Sequence, residues 1–393
     1  RVFAMMKLPA LALSAAMIVA ACSTGPASNA ADNARFDASG EQPAAPLADA
    51  PFTVETAAAF DEPWAMTFLP GGRQALVTER AGKLKLWQED GPVLDVAGVP
   101  PVAYGGQGGF GDVILAPDFA TTGTIYLSWV EAGDGDNFGA VVGTAKLVQG
   151  DAPRLDGLRI IWKQDPKVPG RGHFSHRLAF SPDGKHLFIT SGERQKFDPA
   201  QDMKANLGKV VRLNPDGSVP ADNPFAAQGG VTAQIWSLGH RNLLGLTFDG
   251  AGRLWNQEMG PKGGDEVNLV ERGANYGYPI VSNGDHYDGK PIPEHATRPE
   301  FAAPKLWWNP SVSPGGLAWY GGDLYPGWQN SLLMGALSGQ GLIRMRVDGD
   351  RLHKADRWDF GTRIREVEVR EDGSVWLLSD GKDGKLLKLV PKG

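Results

Sequence analysis

Apolar and polar positions alternate with a period of two along most of this chain, and the alternating runs come in pairs separated by Pro, Asp and Gly. The first pair is 64–69 (Trp64-Ala65-Met66-Thr67-Phe68-Leu69) and 75–78. The pattern recurs at 111–116 with 125–128, 177–181 with 187–190 and 244–248 with 253–255. It recurs again at 316–320 with 331–334 and at 366–370 with 375–378. Several copies continue into a third run, as at 83–87, 209–213 and 341–346. No segment carries a long apolar stripe at the helical period of 3.6. Six equivalent multi-strand units predict an all-β chain folded as a six-bladed β-propeller with four antiparallel strands per blade. Phe52-Thr53-Val54-Glu55, ahead of the first unit, is expected to supply the outer strand of the last blade and so close the ring. A two-sheet sandwich would not give six equivalent units.

Composition agrees with this reading. Gly (52) and Pro (29) together make near a fifth of 393 residues, which suits many turns and does not suit helices. Twelve Trp demand burial. The formal charge of −6 and the absence of a long basic stripe argue against nucleic acid as a partner. One cysteine excludes both an intrachain disulfide framework and a cysteine-based zinc site.

That cysteine lies near the start. Residues 1–22 hold Arg1 and Lys7, then a short apolar run from Leu8 to Ala20, in the manner of a secretory signal. Val19-Ala20-Ala21-Cys22 resembles a bacterial lipobox, so a periplasmic lipoprotein anchored to the membrane through Cys22 is expected. Residues 23–50, rich in Ala, Asp, Ser, Pro and Asn, read as a disordered tether, which leaves 51–393 as the folded body.

A propeller binds ligands at one end of its axis, on the loops between strands, and five loops are rich in chemistry. Gly105-Gly106-Gln107-Gly108-Gly109 lets backbone approach a ligand. Gly172-His173-Phe174-Ser175-His176 offers a general base; on an extended segment its two histidines would face opposite ways, which disfavours a shared metal. Gly239-His240-Arg241-Asn242 offers a guanidinium fork for an oxyanion or a polarised carbonyl. Gly260-Pro261-Lys262-Gly263-Gly264-Asp265-Glu266 offers hard oxygens, which favour calcium. Arg363 and Arg365, at i and i+2, share one side of a strand and suit a multiply anionic ligand.

Taken in order with 208–225 (Gly-Lys-Val-Val-Arg-Leu-Asn-Pro-Asp-Gly through Asn-Pro-Phe) and Asn275-Tyr276-Gly277-Tyr278-Pro279, these motifs resemble the soluble glucose/sorbosone dehydrogenase family, and within it the aldose sugar dehydrogenases. The resemblance covers roughly 51–391. It implies a propeller that binds pyrroloquinoline quinone (PQQ) and calcium and oxidises aldoses at C1 to aldonolactones, passing electrons to an acceptor that the sequence does not name. His173 falls at the family's general base and Arg241 at the arginine that reaches the quinone C5 oxygen. Gln107 and Asn242 fall at polar positions lining cofactor and substrate, Ser311 at a cofactor-contacting threonine, and Arg363 and Arg365 at arginines for the cofactor carboxylates. Gly260 and Pro261 match carbonyls that hold the cofactor's calcium, and Glu266 and Tyr276 match a second, structural calcium site. Two positions depart from the family pattern. Gly172 stands where the glucose-specific branch has an aspartate that orients the histidine, and Leu337-Ser338-Gly339-Gln340 lacks a lysine that contacts the cofactor.

Two other functions remain open at this stage. A calcium-dependent propeller hydrolase, such as a lactonase, would draw several side-chain oxygens into the channel. A non-catalytic carbohydrate-binding propeller would not need His173, Arg241 and the paired arginines together.

Overall fold

A computed structural model of the protein describes residues 41–393; the signal-like segment, Cys22 and residues 23–40 of the expected tether lie outside the described residues. The alternating runs form six antiparallel sheets in chain order, the blades of a β-propeller. Blade 1 comprises Pro63–Phe68, Gln74–Glu79, Lys83–Gln88 and Leu94–Val96. Blade 2 comprises Phe110–Leu115, Thr124–Ala132, Asn137–Val148 and Arg154–Lys163. Blade 3 comprises Ser175–Phe180, Leu187–Ser191, Lys209–Leu213 and Ile235–Leu238. Blade 4 comprises Leu243–Phe248, Leu254–Glu258, Asp265–Leu269 and Leu306–Trp308. Blade 5 comprises Pro314–Tyr320, Ser331–Ala336, Gly341–Asp348 and Arg351–Asp359. Blade 6 comprises Ile364–Val369, Val375–Ser379 and Gly384–Pro391, with Phe52–Phe60 as its outer strand.

This last pairing, Phe52 opposite Pro391 through Phe60 opposite Gly384, closes the ring as the sequence predicts. One boundary needs correction. Residues 45–50, expected in the tether, belong to the folded body: Ala45 and Pro46 pair in parallel with Trp358 and Asp359, and Ala50 is buried. Short as it is, the segment covers the outer edge of blade 5, and Gln42 accepts a hydrogen bond from Trp308.

The core is distributed. Each pair of neighbouring blades encloses its own apolar wedge, such as Leu76, Leu86, Val113 and Leu127 between blades 1 and 2. Both faces of a blade are therefore buried, which is why many strands read as near-continuous apolar runs. Aromatic rings fill the wedges on either side of blade 6. Phe52 meets Trp328 and Trp358 edge-on, and Trp87 meets Trp376 edge-on.

All six inner strands slip register near their start, at Pro63/Ala65, Phe110/Val113, Ser175/Leu178, Leu243/Gly245, Pro314/Leu317 and Ile364/Glu366. A bulge re-aims the side chains within it. Trp64, His176, Leu244 and Arg365 all lie in these slips, and all four line a cavity at one end of the axis. Because each blade is antiparallel, the loop entering an inner strand and the loop leaving the second strand emerge on the same face. That face carries all five chemistry-bearing loops.

Candidate active site

His173 sits on the loop entering blade 3, whose backbone is left-handed at His173 (φ 49°), Ser175 (60°) and His176 (62°). The segment is thus tightly coiled and not extended, and it sends the two rings to different tasks. His176 stacks on Trp64 with ring centroids 5.3 Å apart and is hydrogen-bonded through Nδ1 to Ser128 Oγ at 2.8 Å. Burial pushes its pKa down to about 3, so it is a neutral packing group.

His173 is held at two points. Its backbone N–H donates to Gln107 Oε1 at 2.8 Å, and Nδ1 hydrogen-bonds Glu193 Oε1. Glu193, on the loop leaving the second strand of blade 3, is fully buried and was not anticipated from sequence. Its carboxylate also accepts the backbone N–H groups of Gln195 (2.9 Å), Lys196 (2.6 Å) and Phe197 (2.7 Å). Burial pulls the Glu193 pKa upward, but the His173 bond, the Phe197 N–H and Arg241 outweigh it and leave it below the ordinary value. Glu193 is therefore an anion that can only accept, so Nδ1 carries the proton and Nε2 presents a free lone pair. Burial lowers the His173 pKa, the Glu193 bond raises it and Arg241 lowers it, with a net downward shift. The ring is neutral at pH 7, as a base must be.

Glu193 answers the departure at Gly172. A Cβ built on Gly172 would meet the Gln195 side-chain amide, so a side chain there would have to displace that amide. The orienting carboxylate arrives instead from the next loop.

Arg241 is 5% exposed and donates from Nη1 to the carbonyls of Met259 (2.8 Å) and Gly260 (2.7 Å). Its guanidinium lies 5.8 Å from the Tyr278 ring and 5.9 Å from the Tyr287 ring. Its Nε is buried without a hydrogen-bond partner among the described residues. A buried unpaired donor on a cation points to an acceptor not yet in place.

His173 and Arg241 border one cavity, of about 270 Å³, together with Gln195, Phe197, Tyr278 and Tyr287. A second cavity, of about 310 Å³, is lined by Gln107, Asn242, Ser313, Arg363, Arg365 and Asp380 among others. Arg363 and Arg365 do share one side, and both donate to Asp380, at 2.8 and 3.1 Å. Gln107 Nε2 makes no hydrogen bond among the described residues, while Asn242 Oδ1 accepts from Ser175 Oγ at 3.2 Å. Ser311 is placed differently from expectation. Its hydroxyl donates to Asp265, whose carboxylate also takes the N–H groups of Val312 and Ser313 at 2.7 Å each, and Ser313 is the serine on the cavity wall.

Gly260 and Pro261 lie beside Arg241, in a turn so tight that a Cβ on Gly260 would strike the carbonyls of Gly263 and Gly264. Behind them, Glu258 and Glu266 stand directly opposite each other on adjacent strands, both buried. Burial raises both pKa values, Glu258 to about 7 against a hydrogen bond from Glu266, and Glu266 to about 8 with the Glu258 charge adding to burial. The pair is neutralised either by protons or by a cation. Tyr276 lines a small pocket with Glu258 and Glu266; its hydroxyl donates to the Leu269 carbonyl and accepts from the Glu271 N–H at 2.9 Å, and its carbonyl is hydrogen-bonded to His295 Nε2 at 3.0 Å. Among the described residues no group of three or more His, Cys, Asp and Glu is gathered as a metal site would require.

The comparisons with known proteins agree with this geometry. The glucose/sorbosone dehydrogenase family model matches residues 60–388. The aldose sugar dehydrogenase YliI of Escherichia coli K12 is 41% identical over 341 residues, covering 84% of this chain and 91% of that protein. A crystal structure of the E. coli soluble aldose sugar dehydrogenase in its apo-form superposes with a TM-score of 0.82 at 39% identity, covering 87% of this chain and all of that one. The PQQ-bound form of an aldose sugar dehydrogenase from Streptomyces coelicolor superposes with a TM-score of 0.71 at 26% identity, covering 89% and 99%. With its six blades, its oriented histidine and these matches across nearly all described residues, the chain belongs to the glucose/sorbosone dehydrogenase family.

Proposed function

We propose that this protein oxidises aldose sugars at C1 to aldonolactones, with PQQ as cofactor and calcium as its companion ion. The observation that carries the reading is the pairing, on one cavity, of a neutral, carboxylate-oriented His173 with Arg241 and its partner-less Nε, while a second cavity carries Gln107, Asn242 and the arginine pair. Arg363, Arg365, Gln107 and Asn242 would hold the cofactor, and the carbonyls of Gly260 and Pro261 would face its calcium. Arg241 already donates to the Gly260 carbonyl, so a calcium there would need the cofactor's negative charge between the two cations. Glu258 joins Glu266 and Tyr276 as the natural lining of the second calcium site. When bound, the quinone supplies the hydride acceptor that no side chain can.

The chain's own residues do the rest. His173 Nε2 takes the proton of the anomeric hydroxyl while Glu193 stabilises the charge that forms on the ring. Arg241 stabilises negative charge developing on a carbonyl oxygen beside it. Phe197, Tyr278 and Tyr287 give the sugar an apolar wall.

The test is to add PQQ and calcium to purified protein and follow aldose-dependent bleaching of a redox dye. Bleaching is expected, with His173→Ala reducing its rate by about 10² or more. A folded protein that bleaches no dye with any aldose, or a His173→Ala variant as fast as the parent, overturns the reading.

A further inference from the structure

The cofactor cavity is short of positive charge. PQQ carries three carboxylates, and Arg363 and Arg365 share one counter-ion, Asp380, so together they offer one net positive charge. The family lysine is missing at Leu337-Ser338-Gly339-Gln340. One other cation stands on the same wall: Arg80, at the end of the second strand of blade 1.

Arg80 can be set beside Arg194, since each follows a glutamate where the chain leaves the second strand of its blade, Glu79-Arg80 in blade 1 and, two residues further out, Glu193-Arg194 in blade 3. Each arginine ties down the loop that enters the next inner strand or its own. Arg194 donates from Nε to the Gly172 carbonyl, from Nη1 to Phe138 and from Nη2 to Gly170, and it is 1% exposed. Every nitrogen of that guanidinium is occupied. Arg80 ties the glycine-rich loop through Nη2 alone, to Gly106 (2.5 Å) and Gly108 (3.4 Å). Its Nε and Nη1 make no hydrogen bond among the described residues; Nη1 has only a distant ion pair with Glu62, at 3.9 Å. Arg194 is thus a pure tether, whereas Arg80 is a tether with donors to spare beside the cavity.

We infer that Arg80 is a further cofactor-binding residue, whose guanidinium takes a PQQ carboxylate in place of the missing lysine. A planar fork with spare N–H groups suits a carboxylate better than a lysine does. The inference rests on the PQQ reading above, and its test reads binding without turnover.

PQQ is titrated into cofactor-free protein in the presence of calcium, with quenching of tryptophan fluorescence as the signal. Arg80→Gln, which removes the charge but keeps a donor for the loop carbonyls, is expected to weaken binding roughly tenfold or more. Arg80→Lys is expected to stay within a few-fold of the parent, and Ser338→Lys is expected to restore binding to Arg80→Gln. Parent-like binding by Arg80→Gln overturns the assignment, as does equal loss in the Gln and Lys variants without rescue at 338, which would mark a loop tether only. If Arg80→Gln does not fold, Ser338→Lys in the parent decides: tighter PQQ binding supports a cavity short of cations, and unchanged binding overturns it. A parent protein that binds no PQQ overturns the proposed function itself, and Arg80's role with it.

Discussion

His173 is suited to the proposed role of base because three effects on one ring are balanced. Burial and Arg241 favour its neutral form, while Glu193 favours its charged form and fixes which nitrogen is free. The neutral form is the active one, so activity should fall as pH drops through a pKa that lies below the ordinary 6.5. Glu193→Gln removes the term that raises this pKa. The acid limb of kcat/KM should therefore move to lower pH, while the plateau falls by about tenfold or more because the protonated ring loses its counter-charge. A profile of kcat/KM against pH checks both; an unmoved limb would show that Glu193 does not act on the base. His173, Arg241 and the arginine pair were legible in the sequence because each lies in a short run of unusual residues before a strand. Glu193 was not, because its partner is twenty residues away on another loop. Nor was the choice of Ser313 over Ser311, which depends on where the Asp265 carboxylate lies.

At the scale of strands, the repeats share a feature at the active face. An acid recurs at or just after the end of the second strand in four blades: Glu79, Glu193, Glu258 and Asp380. Each anchors something on the active face: the Asp61 N–H, His173, His240 or the Arg363–Arg365 pair. The four are not in one register: Glu79 and Glu258 end their strands, Asp380 lies one residue beyond and Glu193 two. The strands themselves were legible because alternation and turn residues are local signals, whereas the bulges are set by crowding at the axis and leave no local trace. The closing strand carries a prediction of its own. Phe52 is 1% exposed and wedged against Trp328 and Trp358. Phe52→Ala should cost about 3–5 kcal/mol, seen as a lower denaturant midpoint in equilibrium unfolding. A midpoint within error of the parent would show that the strand contributes little to holding the ring.

Across the whole molecule, the axis below the active site is a column of charge. Arg177 pairs with Glu366 and with Asp112 (3.6 Å), and Glu368 lies further along the same channel. Burial holds the Glu366 pKa up to about 7, against Arg177 and with help from Asp112, and burial with the Glu366 and Asp112 charges holds Glu368 well above its ordinary 4.5. Both acids bind protons more tightly folded than unfolded. The stability they contribute is present below pH 4.5 and lost as pH rises, through about 7 for Glu366 and through the raised value of Glu368. Glu368→Gln keeps the neutral shape, so its melting temperature should exceed the parent's at pH 8, by roughly 2 °C or more, and match it at pH 5. Scanning calorimetry at the two pH values checks this, and an equal shift at both would rule out a protonation origin.

The last blade has a consequence for the order of events in the life of the molecule. Arg363, Arg365 and Asp380 belong to a sheet whose outer strand is Phe52–Phe60 and whose third strand is Gly384–Pro391. The glycine-rich loop, His173 and Arg241 are all made long before that sheet can be completed. A growing chain therefore carries His173 and Arg241 while it still lacks the arginine wall, and a ligand that needs that wall could be captured only once Gly384–Pro391 has been made and the ring has closed.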